Sequence, residues 1–226
     1  MTFSILGRCP RSGQFGVVVS SSSIAVPARC GRWAQAGTGA VATQNITDPT
    51  LGVLGLDLLA RGYGAQGALQ EMLESRPHIE FRQLAVLDAD GATAYYTGAK
   101  TLGTHAMAKA ENCIACGNLL ANERVPQAMV DAFLGNPGGG LAERLMAALT
   151  AGWKAGGETG PVRSAGLYVV DRFPWPIADL RVDWHDSPIE ELQRVYAVYQ
   201  PQMNDYIQRA VDPTKAPGYG VPGETR

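Results

Sequence analysis

The chain has 226 residues, 46% hydrophobic and 18% charged, with a formal net charge of −2. This is the composition of a globular domain with room for a sizeable core, and it excludes a disordered chain. It offers no basic field to hold a phosphate backbone, which excludes nucleic acid as a main partner.

No apolar run approaches the ~20 residues of a membrane span, so no membrane partner is expected. Met1-Thr2-Phe3-Ser4 lacks the basic-then-apolar pattern of a secretory signal, so the expected location is cytoplasmic. The cysteines are Cys9, Cys30, Cys113 and Cys116. That density is too low for a disulfide framework, and free thiols are expected.

In chain order, Phe3 to Arg8 and Phe15 to Ser21 read as a hairpin, with Pro10-Arg11-Ser12-Gly13 as its turn. The β-branched run Val17-Val18-Val19 suits a buried strand. Gly39 to Gln44 is a third strand. Asp48 before Pro49 caps a helix over Leu51 to Arg61, which ends at Gly62. Ala65 to Glu74 is a second helix, stopped by Pro77. Phe81 to Leu87 and Ala92 to Thr97 flank the hairpin signal Asp88-Ala89-Asp90-Gly91. Pro126 to Leu134 and Leu141 to Ala155 are helices split by a glycine-rich loop. Ser164 to Val170 and Ile177 to Trp184 form a last strand pair. Ser187-Pro188-Ile189-Glu190 combines an N-cap, Pro at the first position and a capping-box Glu, opening a helix to about Ala210. The Pro- and Gly-rich tail from about 212 is expected to be extended. Strands thus come in hairpins and helices in pairs. That order predicts an α+β fold with mainly antiparallel sheets, in one domain over 1–226.

Two motifs match in letters only. Gly62-Tyr63-Gly64-Ala65-Gln66-Gly67 spells GxGxxG, but a helix precedes it where a dinucleotide site needs a strand. It reads as a turn between helices. Cys113-Ile114-Ala115-Cys116 is a lone CxxC without a second ligand pair, and His78, His105 and His185 are far apart in sequence. A thiol or metal protein built on Cys113 and Cys116 stays as a minor alternative.

Thr2 is the candidate nucleophile. Removal of Met1 would leave an α-amine and a β-hydroxyl on one residue, a complete base–nucleophile unit. The reference pKa of an α-amine is about 7.7–8.0, so a usable fraction is neutral at pH 7. An apolar strand begins at once and pins that terminus to a sheet. With the turn centred near Arg11-Ser12, facing residue numbers sum to about 23 across a two-strand hairpin. Thr2 then faces Ser21, with Ser20 and Ser22 beside it, and Gln44 and Asn45 reach the same rim. His105, in a loop, could reach the cleft.

Thr2-Phe3-Ser4-Ile5, Gly16-Val17-Val18-Val19-Ser20 and Trp33 through Gln44 resemble the bacterial domain-of-unknown-function family 1028, placed among the N-terminal-nucleophile (Ntn) hydrolase-like proteins. The resemblance continues through Arg82-Gln83, Gly117-Asn118-Leu119-Leu120-Ala121, Leu141 to Leu145, Ala155-Gly156-Gly157 and Ser164-Ala165, and ends at Ala216 to Gly223. It implies a four-layer αββα sandwich, a homo-oligomer, Thr2 as nucleophile, and hydrolysis of a small amide substrate without cofactor or metal. It also implies Asn118 as an oxyanion donor. Ser21, Ser22, Gln44, Arg82 and His105 are the candidate substrate-binding residues. Glu158 to Arg163 departs from the Asp-Lys-Arg-Gly of the family pattern, so Glu158 is assigned no role. No lysine precedes Lys100, so activation falls to the α-amine. The alternative is a binding or assembly protein that keeps the fold without the chemistry.

Overall fold

In a strand, successive side chains point to opposite faces, so alternation along the first strand decides what lies on either side of it. The computed structural model describes residues 1–221 and 224. Its strands are β1 (Thr2–Arg8), β2 (Phe15–Ser21), β3 (Ala34–Gln35), β4 (Gly39–Asn45), β5 (Arg82–Asp88), β6 (Thr93–Thr97), β7 (Ala106–Ala110), β8 (Cys113–Asn118), β9 (Ser164–Val170) and β10 (Pro176–Val182). They form a six-stranded sheet, β10-β9-β2-β1-β8-β7, and a four-stranded sheet, β3-β4-β5-β6. Every pairing is antiparallel. The β1–β2 register runs from Phe3↔Ser20 to Arg8↔Phe15, as the position of the turn predicts.

The helices are α1 (Val26–Cys30), α2 (Pro49–Ala60), α3 (Ala65–Glu74), α4 (Val125–Leu134), α5 (Leu141–Lys154), α6 (Pro188–Tyr199) and α7 (Met203–Val211). Phe3 and Ile5 of β1 join Met129, Phe133, Leu145 and Leu149 of α4 and α5 in one buried cluster. Leu6, on the opposite face of β1, joins Ala40, Ala42, Ala85 and Leu87 of the four-stranded sheet in a second. Leu51, Leu69 and Met72 of α2 and α3 pack on Val41, Leu84 and Val86 in a third. The chain is therefore α+β, with two antiparallel sheets and helices packed on them. Complete burial of a side chain such as Phe133 or Leu145 contributes about 1.5–3 kcal/mol. Close approach depends on Gly7, where an added Cβ would sit 2.6 Å from the Phe133 ring.

Several elements differ from the sequence expectation. The β7–β8 hairpin was not anticipated. Its residues, Ala-Met-Ala-Lys-Ala and Cys-Ile-Ala-Cys-Gly-Asn, are small and poor in β-branching, so they carry a weak strand signal. Its turn uses Asn112 at φ 66°, a conformation Asn tolerates. The long final helix is broken. A 3₁₀ turn at Gln200–Gln202 separates α6 from α7, because Pro201 cannot donate to the helical ladder. The hydroxyl of Ser187 makes no cap bond; its N–H instead donates to His185 Nδ1 at 3.0 Å. The tail is not wholly extended: Asp212 accepts from Thr214 N at 3.2 Å and starts a 3₁₀ turn at Pro213–Lys215. The tail positions 222, 223, 225 and 226 lie outside the described residues.

Gly39 begins β4 at φ 150°, and a Cβ there would lie 2.3 Å from the Leu87 carbonyl oxygen. Gly39→Ala is expected to cost about 1–3 kcal/mol through backbone strain and displacement of that pairing. Urea denaturation checks this, and a midpoint equal to that of the unsubstituted chain would contradict it.

Candidate active site

β1 lies between β2 and β8, so its first residue sits where three strand ends meet. Facing residues of an antiparallel pair project to the same side. Thr2 faces Asn118 across β8, and the β1–β2 register brings Ser21 alongside. The Thr2 and Ser21 hydroxyl oxygens are 3.4 Å apart. Both hydroxyls donate to one acceptor, the Met1 carbonyl oxygen. Thr2 is 5% exposed, and Ser21 and Asn118 are fully buried.

The next residue on this face, Ser4, begins a polar network between the sheets. Its hydroxyl donates to Gln44 Oε1 at 2.8 Å. Gln44 Nε2 donates to Gln83 Oε1 at 2.8 Å and approaches Cys116 Sγ at 3.3 Å. Asn118 Nδ2 reaches the same Gln83 Oε1 at 3.1 Å, and Gln83 Nε2 donates to the Gly117 carbonyl at 3.0 Å. One Asn118 amide hydrogen is thus committed and the second is not. Asn118 Oδ1 is buried without a partner. Gln83 holds Asn118 and Gln44 in place and was not singled out from the sequence. Its signal was a polar residue inside an apolar strand pattern.

Glu158 is the other residue the sequence reading left out. It is 5% exposed and forms a bridge with Leu120, two residues beyond Asn118. Its Oε2 accepts from the Ser22 backbone N–H at 3.1 Å, while Oε1 is buried with no partner. Burial pushes the carboxyl up to about 7, against the lowering effects of the chain's amino terminus and of Ser22. Leu119, at φ 50°, turns the chain sharply after Asn118, and its carbonyl accepts from Thr159 N at 3.0 Å. That turn brings the Glu158 segment against the end of β8.

The remaining expected residues lie further out. Ser22 supplies its backbone N–H to the carboxylate of Glu158. Arg82 is half-buried at the start of β5 and donates to the Ile46 carbonyl. His105 is exposed, with Nδ1 2.9 Å from the Gly103 carbonyl oxygen. The structure does not bring Arg82 or His105 into the buried polar set. A cavity of about 810 Å³ opens elsewhere, between Trp33, Gln35, Asp57 and Tyr168, and none of the buried polar set lines it. Hydroxyls, amides and a carboxyl converge at Thr2 and not there, so chemistry singles out the Thr2 end.

Cys113 and Cys116 occupy positions three apart on one strand and therefore project to opposite faces. Cys113 packs in the helix-side cluster and Cys116 between the sheets. All four cysteines are free and buried. Among the described residues, no three His, Cys, Asp or Glu side chains gather as a metal-holding group. Burial pushes the Cys113 thiol up to about 11 and the Cys116 thiol up to about 12. Both should resist a thiol-specific reagent in the native protein and react only on unfolding. Rapid native labelling of either, followed by peptide mass mapping, would contradict this.

The family model for a family of unknown function, DUF1028, matches residues 2–192. No curated protein matches the chain. The crystal structure of protein SPO2555 from Silicibacter pomeroyi, itself matched by the DUF1028 model, is similar at a TM-score of 0.81 and 29% identity, covering 88% of this chain and 89% of that one. No helix among the described residues is long and apolar enough to cross a membrane. With the match spanning most of its length, the chain belongs to the DUF1028 family.

Proposed function

We propose that this protein is an N-terminal-nucleophile hydrolase, a four-layer αββα sandwich that cleaves a small amide or peptide-like C–N bond after Met1 is removed. The observation that carries the reading is the pair of hydroxyls, Thr2 and Ser21, converging on one carbonyl oxygen at the end of β1. In the Met1-bearing chain that oxygen belongs to the Met1–Thr2 peptide bond, whose nitrogen has no basic lone pair. Loss of Met1 vacates the position and converts the nitrogen into an amine.

In the proposed reaction the Thr2 hydroxyl oxygen attacks the substrate carbonyl carbon. Its proton passes to the α-amine, which has a reference pKa near the working pH, at about 7.7–8.0. The Ser21 hydroxyl and the uncommitted Asn118 amide hydrogen are the candidate donors to the oxyanion. The C–N bond breaks as the ammonium returns its proton to the leaving nitrogen. Water then attacks the Thr2 ester, losing its proton to the α-amine, which passes it to the Thr2 oxygen as the oxygen–acyl bond breaks and the acid departs. Gln44 and Gln83 hold the Asn118 side of the site, and Ser22, Arg82 and His105 are assigned to its rim.

Thr2→Ala should abolish turnover, a loss of roughly 10³-fold or more, with the fold intact. Thr2→Ser should retain part of the activity because it keeps both groups. An uncleaved N-terminal tag should be as damaging as Thr2→Ala, because it keeps the base as an amide. Intact mass would verify Met1 loss, and turnover would be read on a panel of small amides and acyl-amino acids. Full activity of the tagged, unprocessed chain would sink the reading in favour of another nucleophile. A panel with no turnover by processed protein would favour a binding or assembly role.

The proposal includes a cytoplasmic homo-oligomer. Light scattering should give a multiple of the 24.0 kDa chain mass. A monomer across working concentrations would remove that part.

A further inference from the structure

The α-amine of Thr2 is the base of the proposed mechanism, and it needs a group that holds it and balances the charge it gains. The sheet order supplies a candidate. β1 is flanked by β2 and β8, so the residues just beyond Ser21 and just beyond Asn118 lie on either side of its first residue. Glu158 joins those flanks. Its carboxylate accepts from Ser22 N on the β2 side, and its backbone bridges Leu120 on the β8 side. Thr159 N and its hydroxyl fasten the same segment to the Leu119 carbonyl. Two residues on from Glu158, Gly160 lies against the Met1 side chain, with a built Cβ 3.3 Å from the terminal methyl. Glu158 therefore joins the two strand ends that flank the first residue of β1, in the segment that also meets Met1.

One oxygen of that carboxylate has no donor. Glu158 Oε1 is buried and unpartnered, and an unpaired buried carboxylate is costly. The chain's own amino terminus is the charged group that acts on Glu158. Arg163, the next cation in the segment, is paired with Asp186, and the groups offered from β2 and from the Leu119–Leu120 turn are neutral. A carboxylate missing one donor beside a strand end that is to become an ammonium is a built complement.

We propose that Glu158 is the counter-ion of the Thr2 α-amine in the Met1-processed protein. Its free oxygen accepts a hydrogen from that amine and aims the nitrogen lone pair at the Thr2 hydroxyl. Its negative charge stabilises the ammonium that forms when the amine takes the hydroxyl proton. The proton stays on nitrogen until it passes to the leaving group, so Glu158 is a positioning residue and exchanges no proton with substrate. The arrangement parallels the carboxylate that stabilises the imidazolium of a serine-protease base. Burial holds the carboxyl at about 7 even with the Met1 amino terminus acting to lower it, and it is expected to fall further when the Thr2 amine becomes its direct partner.

This inference rests on the hydrolase reading, but part of its test does not. The sign follows from charge: an adjacent carboxylate favours the ammonium, so removing the charge makes the amine easier to deprotonate. In processed Glu158→Gln, the α-amine pKa should fall by roughly one unit or more. It can be followed without substrate, through the Thr2 Cα signal in ¹³C-threonine-labelled protein, assigned by its loss in Thr2→Ser. With substrate, the acidic limb of kcat should move to lower pH by the same amount. Its plateau should drop roughly tenfold or more while KM holds, part of what a positioned base supplies. An α-amine that titrates identically in Glu158→Gln and the unsubstituted protein overturns the proposal. If Thr2→Ala leaves turnover intact while the α-amine shift is observed, the hydrolase reading fails and the ion pair stands. Should Glu158→Gln not fold, the unsubstituted processed protein carries the test. The Glu158 carboxyl and Thr2 amine signals should each show both steps of a coupled titration, and two independent single-step curves would overturn the pairing.

Discussion

The placement of β1 in the middle of the six-stranded sheet is the constraint on which the rest depends. The segment from Thr2 to Leu6 is buried on both faces. One face is covered by α4 and α5 and the other by the four-stranded sheet. A chain terminus is usually the least ordered part of a domain. Here it is a core element, and pulling Thr2 out of register would reverse which residues meet the helices. That rigidity matters for chemistry, because a reacting hydroxyl has to be held within a fraction of an ångström of its productive position.

The same burial forces the polar residues of β1 to find partners inside the molecule. Ser4, Gln44, Gln83, Cys116 and Asn118 satisfy one another across the gap between the sheets. A buried network of this kind specifies one arrangement of the two sheets, since a slip would leave several amides unpaired. Its exceptions are informative. Asn118 Oδ1 within it and Glu158 Oε1 beside it are buried and unpartnered, as are Arg8 Nε, Thr101 Oγ1 and Arg209 Nε elsewhere among the described residues. Buried polar atoms without partners are uncommon, and a ligand or a changed covalent state is one way they become satisfied.

In the Met1-bearing chain the Met1 carbonyl fills the position between the two hydroxyls, so folding and the proposed activity are separable. The sheet, the network and the Glu158 bridge are all present with Met1 in place. On the proposed reading, losing one residue changes the charge and basicity of a single nitrogen without rearranging the core. The preformed site then costs little to organise at the moment of reaction.

The sequence by itself determined the local elements with strong signals and one decisive register. The position of Pro10 to Gly13 fixed the hairpin, and with it the approach of Thr2 to Ser21. Turn chemistry and helical spacing located β5, β6, α2 and α3 closely, because those signals lie within a few residues of one another. The strand β8 carries no alternation because its small residues are buried on both faces, and β7 carries a weak strand signal because four of its five residues are Ala or Lys and none is β-branched. Only the tertiary structure decided that β8 pairs with β1, which sets Asn118 opposite Thr2. It alone divided Cys113 from Cys116, kept Arg82 and His105 away from the buried set, and brought Glu158 to Ser22 and Leu120. Thr2 meets Asn118, and Ser22 meets Glu158, across more than a hundred positions of chain. Nothing local specifies such juxtapositions, because they arise from which faces must be buried together when the two sheets and their helices pack.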